Sequence, residues 1–265
     1  MDSSFVPVVS IKDVNKTYTH ASEIDLHVLY NISFAVKKGE FIGLIGSSGC
    51  GKTTLLRIIC GFEKPERGNV LINGVQYDKP NKNVLMLFQD FNQLFPWKTV
   101  LKNVMHPLRE IDCIKDKKSA KSYALGYIAD VGLSGFENMY PYELSGGMKQ
   151  RAAVARVLAL KPSVLLMDEP FASLDSITRH ILQKLTRRIC DKYGLTVILV
   201  THSVEEAVIM ADKIIVMKDK PGQIDRIINN VNRETNDEAK RAELISEILN
   251  IMSKNASIDE DRYCY

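Results

Sequence analysis

Residues Gly46-Ser47-Ser48-Gly49-Cys50-Gly51-Lys52-Thr53 set glycines at intervals ahead of a lysine and a hydroxyl, in the pattern G-x-x-x-x-G-K-[ST]. Chemistry of this kind is directed at phosphate. Glycines let the backbone curl so that successive N–H groups point inward at phosphate oxygens, and a following helix adds its free N–H groups and positive dipole end. Lys52 is expected to neutralise β- and γ-phosphates, the Thr53 hydroxyl to ligate Mg²⁺, and Thr54 to add a hydroxyl to the α-phosphate of ATP. Cys50 fills an unspecified position of the loop with a small side chain and is given no redox role.

A second constellation is Asp168-Glu169, at the end of the apolar run Val164 to Met167. Two adjacent carboxylates there can divide the work: Asp168 holds the Mg²⁺ shell, and Glu169 polarises a water for in-line attack on the γ-phosphoryl group. A third is Leu144-Ser145-Gly146-Gly147-Met148, followed by Lys149-Gln150-Arg151 and a helical stretch. A helix start stripped of side chains exposes backbone N–H groups, which with the Ser145 hydroxyl can meet a γ-phosphate.

These residues need a scaffold that brings distant segments to one edge. Short β-branched apolar runs at Phe41 to Ile45, Val84 to Phe88, Val164 to Met167, Thr196 to Val200 and Ile214 to Met217 read as buried strands. Helical stretches separate most of them, so the pattern predicts a mostly parallel α/β sheet that binds its ligand beyond the strands' carboxyl ends. Val8 to Val36 adds antiparallel strands, with a turn at Lys38-Gly39. From about 90 to 161 helices dominate, including Asp116 to Val131 and Met148 to Leu160, and this reads as a helical subdomain inserted in a domain over 8–230. A tail over 231–265 opens on a capping box, Thr235 with Glu238. It continues as one amphipathic helix whose apolar face is Leu244, Ile245, Ile248, Leu249 and Met252.

Composition excludes several classes. With 45% hydrophobic and 25% charged residues the 265-residue chain can bury a core. Its 35 basic and 32 acidic residues leave a formal charge of +3, too even to signal nucleic acid, and none is expected as partner. Cys50, Cys60, Cys113, Cys190 and Cys264 are spaced irregularly, unlike a disulfide framework or metal-ligand pairs, which suits a reducing cytosol. No apolar run approaches the ~18 residues of a membrane span and the N-terminus does not read as a signal peptide, so the chain is not expected to cross a bilayer by itself.

From about Val8 to Ile228 the chain resembles the ATP-binding cassette (ABC) family, whose P-loop, signature and Asp-Glu pair occur here in the same order and at similar intervals. The family signature ends in glutamine, so Met148 departs while Ser145, Gly146 and Gly147 match. The resemblance implies an ATPase that closes as a dimer, the signature of one copy meeting the γ-phosphate held by the other. It also implies roles for four further positions. Gln89 resembles the glutamine that reaches Mg²⁺ and water. Asp175, in Ser173-Leu174-Asp175, resembles the D-loop residue crossing the dimer interface. His202 resembles the switch histidine on the γ-phosphate. Tyr18 resembles the aromatic that stacks on adenine, with Tyr30 as a competitor.

Phe95-Pro96-Trp97-Lys98-Thr99-Val100, then Asn103-Val104, is similar to a stretch in cassettes of nitrate, sulfonate and taurine importers. Met167 to Phe171 and Lys220-Pro221-Gly222-Gln223-Ile224 fit that group too. The resemblance implies a peripheral subunit on the cytoplasmic face of a membrane, with separate permease subunits and an external solute-binding protein. Trp97 would lie in the groove that takes a permease helix, or anchor a turn on the helical subdomain. A soluble ABC ATPase of translation or DNA repair is the alternative.

Overall fold

The computed structural model describes residues 6–19, 25–88, 93–110, 116–218, 221–231, 233 and 237–260. Gln89, Cys113, Lys220, Thr235 and Cys264 lie outside them. In chain order the elements are β1 (Val9–Thr19), β2 (Asp25–Val36), β3 (Phe41–Ile45), α1 (Lys52–Cys60), β4 (Arg67–Ile72), β5 (Val75–Gln76) and β6 (Val84–Leu87). Helices α2 (Val100–Glu110), α3 (Lys117–Asp130) and α4 (Gly146–Leu158) follow, then β7 (Val164–Asp168), α5 (Ser176–Tyr193), β8 (Thr196–Thr201) and α6 (Val204–Met210). The chain ends on β9 (Lys213–Lys218), β10 (Gln223–Asn229) and α7 (Glu238–Glu260).

Six strands form the central sheet in the order β10-β9-β3-β8-β7-β6, parallel except for β10, which pairs antiparallel with β9. A second, antiparallel sheet of order β2-β1-β4-β5 covers one face. Alternate residues of the parallel strands enter two cores. Ile42, Leu44, Leu166, Ile198 and Val200 pack with α1 and the antiparallel sheet, whereas Phe41, Ile45, Leu165, Met167, Val197 and Leu199 pack with the helical layer. Burial on both faces is why these strands read as unbroken apolar runs. At Gly43 the helix α6 comes so close that an added Cβ would stand 3.1 Å from the Cβ atoms of both Ala207 and Ala211.

Helices α2, α3 and α4 fill the interval between β6 and β7 and pack on one another. Asp116 caps α3 by accepting from the backbone N–H groups of Lys118 and Ser119. The tail helix α7 docks on α6 and β9 through Leu244 and Ile248. Its apolar stripe is narrower than the sequence suggests: Leu249 is 51% exposed, because each residue turns the helix by about 100° and carries it past the stripe centred on Ile248. Ile251 packs in its place.

Two boundaries also shift. Strand β6 stops at Leu87, leaving Phe88 half-exposed. Helix α4 starts at Gly146, earlier than its apolar pattern implies, because Ser145 caps it.

Candidate functional site

Strands β3, β8 and β7 lie side by side in parallel, so their carboxyl ends share one edge, where the glycine loop, Asp168-Glu169 and His202 are found. After β3 the chain enters the glycine loop. Gly49 and Gly51 adopt φ of 87° and 91°, the left-handed region that a side chain resists, and Gly51 caps α1. Lys52 is 6% exposed, and its ammonium donates to the carbonyls of Gly46 at 2.8 Å and Ser47 at 2.6 Å, with the Cys50 Sγ at 3.6 Å. An ammonium has three donors, and a phosphate oxygen is a far stronger acceptor for the third than a thiol. The loop is wedged from behind by the start of β10: a Cβ on Gly222 would stand 2.0 Å from the Cys50 carbonyl oxygen.

From the first turn of α1 the Thr53 hydroxyl donates to the carboxylate of Asp168, the last residue of β7, at 3.3 Å. Burial pushes the Asp168 carboxyl above its ordinary pKa, and the adjacent Glu169 charge adds to this, while the Thr53 hydrogen bond, Lys52 and Arg57 oppose. A hydroxyl and one carboxylate converging beside a phosphate loop form the hard-oxygen donor set that suits Mg²⁺, which takes few protein ligands and completes its shell with phosphates and water. Among the described residues no group of three or more His, Cys, Asp and Glu side chains gathers into a protein-only metal site.

Glu169 has φ of 45°, a strained value for a residue with a side chain. Its N–H donates to Val200 at 2.9 Å and its carbonyl accepts from Ala172 at 3.2 Å, so both neighbouring segments hold the turn. The side chain meets His202 at 3.2 Å between Oε2 and Nδ1, with 60% of the imidazole and 27% of the carboxylate side chain exposed. A carboxylate and an imidazole thus flank the mouth of the loop, where one can take a proton from water and the other can face a phosphate oxygen.

Ser145 caps α4 by accepting from the Met148 N–H at 3.3 Å, and Asp175 caps α5 by accepting from the Thr178 N–H at 3.0 Å. The two helix starts press together at Gly147, where a Cβ would stand 2.8 Å from Thr178 Cγ2. Tyr18 lies beside the first turn of α1. Its hydroxyl donates to the Glu63 carboxylate and hydrogen-bonds Thr54, and Lys16 sits 5.1 Å above its ring. Burial, then the Glu63 partner, raises the Tyr18 pKa. Tyr30, the competing aromatic, sits on β2 and is 55% exposed.

Sequence reasoning did not single out Arg179, Gln183 and Glu206. Arg179 donates to the carbonyls of Phe171 at 3.3 Å and Leu174 at 2.7 Å, clamping the loop after Glu169, and Gln183 reaches Glu206. The available signal was Ser203-Val204-Glu205-Glu206, which has the form of an ordinary capping box.

Comparison with known proteins identifies the family. Residues 29–172 match the family described as ABC transporter. The aliphatic sulfonates import ATP-binding protein SsuB of Bacillus thuringiensis subsp. konkukian is 42% identical over 84% of this chain and 86% of its own length. The nitrate import ATP-binding protein NrtC of Synechococcus elongatus is 40% identical over 76% of this chain and 30% of its own length. Among solved structures, the dimeric post-hydrolysis state of the ATP-binding cassette MJ0796 bound to ADP and Pi superposes with a TM-score of 0.71. It is 34% identical and covers 84% of this chain and 98% of that one. With the loop, the carboxylate pair and the signature on one α/β scaffold, the chain belongs to the ABC transporter family and is an ATP-binding, ATP-hydrolysing cassette.

Proposed function

We propose that this cassette is the motor of an importer for a small solute of the nitrate, sulfonate or taurine kind. It works as a pair of copies on the cytoplasmic face of a membrane, beneath separate permease subunits served by an external solute-binding protein. Among the described residues no helix is long and apolar enough to cross a membrane, so the motor relies on partners for the passage itself. The cassette proper spans 8–230, with the helical subdomain over about 90–161 inserted and 231–265 as its tail.

In the proposed cycle Lys52 and the N–H groups from Gly46 to Thr54 bind the phosphates of ATP, Tyr18 stacks on adenine, and Thr53, Asp168 and Gln89 hold Mg²⁺. The bound cation supplies positive charge against the phosphate oxygens. Glu169 takes the proton of the attacking water, and His202 faces the γ-phosphate. Ser145, Gly146, Gly147 and Asp175 of the opposite copy close the site. Closure then pulls on the permease.

The observation that carries the importer reading is the presentation of Trp97. Asn103 is fully buried and holds the 95–99 loop from beneath: its Oδ1 accepts from the Phe95 N–H at 2.8 Å, and its Nδ2 donates to the carbonyls of Phe95, Lys98 and Thr99 at 2.9 to 3.2 Å. Phe95 is enclosed by Trp97, His106 and the Arg156 guanidinium, yet Trp97 remains 69% exposed. A tryptophan held outward on a pinned loop suits docking better than anchoring a turn. The import names of the SsuB and NrtC relatives point the same way.

Trp97→Ala is expected to leave the fold and ATP hydrolysis by the isolated chain intact. Association with the permease should weaken by about 2 kcal/mol, roughly 30-fold, as for an aromatic interface anchor. Co-purification from membranes and solute uptake in vesicles measure this. Recovery of the wild-type chain only with ribosomes or DNA, with no effect of the Trp97 change, would sink the importer reading.

A further inference from the structure

Behind His202 lies a buried polar cluster that the proposed cycle does not use. Glu206 and Gln183 are 5% and 4% exposed, and the Gln183 amide donates to the Glu206 carboxylate at 3.1 Å across α5 and α6. A second hydrogen bond reaches Glu206 from the Thr201 hydroxyl, on the last residue of β8. That hydroxyl in turn accepts from the Ser203 N–H at 3.0 Å, and the Ser203 hydroxyl accepts from the Glu206 N–H at 3.2 Å. His202 is therefore the middle residue of a turn fastened on either side by Thr201 and Ser203, with Glu206 behind it.

The cluster is more than a helix cap. A capping-box glutamate bonds the N–H of the cap residue, but here Thr201 takes the Ser203 N–H, and Glu206 turns inward. Burying a carboxylate is costly and raises its pKa, with the Thr201 and Gln183 hydrogen bonds and the charges of Arg179 and His202 opposing that rise. Arg179 is the guanidinium that clamps Phe171 and Leu174. A cavity of about 30 Å³ joins the groups, its wall including Glu169, Arg179, Thr201, His202 and Glu206. That space is large enough for a single water molecule.

We propose that Glu206 is a positioning residue for ATP hydrolysis: through Thr201 it fixes the turn that carries His202, and beside Arg179 it ties that turn to the 171–174 loop of the dimer-facing side. The proposal rests on the reading of His202 as the γ-phosphate switch and adds the element that holds it in place. The P-loop contacts of Lys52 and Thr53 do not pass through this cluster, so ATP binding should be spared while turnover falls.

The test is steady-state ATP hydrolysis by purified full-length variants. Glu206→Ala and Thr201→Val should each lower kcat by roughly 10-fold or more through misplacement of the imidazole, with KM for ATP within about 2-fold of wild type. Glu206→Gln, which keeps an acceptor for Thr201, should recover kcat to within about 3-fold. In a His202→Ala background Glu206→Ala should cost less than a further ~2-fold, because both changes remove one function, whereas a merely structural role would multiply the losses. Full turnover in Thr201→Val, losses that multiply, or a loss confined to KM overturns the proposal. Where Glu206→Ala fails to fold, Thr201→Val and Glu206→Gln decide by the same criteria. Wild-type turnover in His202→Ala itself would instead strike at the role of His202, and the proposal falls with its premise.

Discussion

Replacing Glu169 by glutamine isolates one function of the site. Glutamine keeps the length and hydrogen-bonding capacity of the side chain, so the contact to His202 Nδ1, now 3.2 Å, survives as a neutral hydrogen bond. The strained backbone at φ 45° and the Glu169 N–H bond to Val200 are unaffected by the change of one side-chain atom. His202 is 60% exposed, and a contact so open to water contributes little to stability, so the melting temperature should move by less than about 2 °C. Lys52 and Thr53 are untouched and ATP should bind as before. What disappears is the proposed base for the attacking water, worth ~100-fold or more in rate, or at least about 2.7 kcal/mol of barrier. Phosphate release at saturating ATP and Mg²⁺ should fall by that factor, and size-exclusion with light scattering should show an ATP-dependent pair that persists. Turnover within about 3-fold of wild type in a folded Glu169→Gln protein would refute the assignment and move the base elsewhere.

If Ser145 serves the nucleotide of the opposite copy, mixed dimers of Ser145→Arg and Lys52→Ala chains should regain one composite site, detected as ATPase activity above either parent; no gain in verified mixed dimers refutes the trans arrangement. Gly222→Ala should destabilise the fold by ~1–3 kcal/mol and weaken ATP binding, because its methyl group must displace either the Cys50 carbonyl at 2.0 Å or the backbone bonds to Val28 and Tyr30; unchanged denaturation and nucleotide titration would contradict this. Burial pushes the Cys60 thiol up to about 11 and the Cys190 thiol up to about 12. At pH 8 less than roughly 1% of either is thiolate, and site-resolved mass spectrometry should find both unlabelled by a maleimide until the chain unfolds.

The parallel strands were legible because each is buried on both faces and so reads as an apolar run. The elements that escaped are those without such a run. Strand β4, Arg67–Ile72, has only the three-residue apolar run Val70-Leu71-Ile72, β5 has only two residues, and β10, Gln223–Asn229, is interrupted by the exposed Asp225 and Arg226. The phosphate loop was legible for a different reason: its chemistry fixes residue type at each position, and the strand before it and helix after it are both signalled locally. Glu206 shows the limit. Its spacing from Ser203 has a complete local explanation in a helix cap, and only the fold brings Gln183, from α5, against its carboxylate. Lys220-Pro221-Gly222-Gln223-Ile224 was legible as resemblance alone. Its physical basis at Gly222 is a contact with a loop more than 150 residues away in sequence, which no window along the chain can contain.

The departure at Met148 follows the same logic and bears on how the signature works. The atom of residue 148 that completes the motif is its backbone N–H, which the Ser145 hydroxyl accepts at 3.3 Å. Its side chain packs, partly buried, against the helical core. Glutamine or methionine can occupy such a position, since both are unbranched and of similar length, and neither alters the cap. Gly147 has no such latitude, because any side chain there meets Thr178 at the start of α5. The phosphate contact proposed for this helix start would therefore reside in the Ser145 hydroxyl and in backbone N–H groups laid bare by two glycines. The contact that forbids a side chain at 147 also joins the signature helix to the helix capped by Asp175. In the proposed dimer the two would approach the opposite nucleotide as one body, and Arg179, bonded to the loop between Glu169 and Asp175, would carry that approach back to the hydrolytic edge of its own chain.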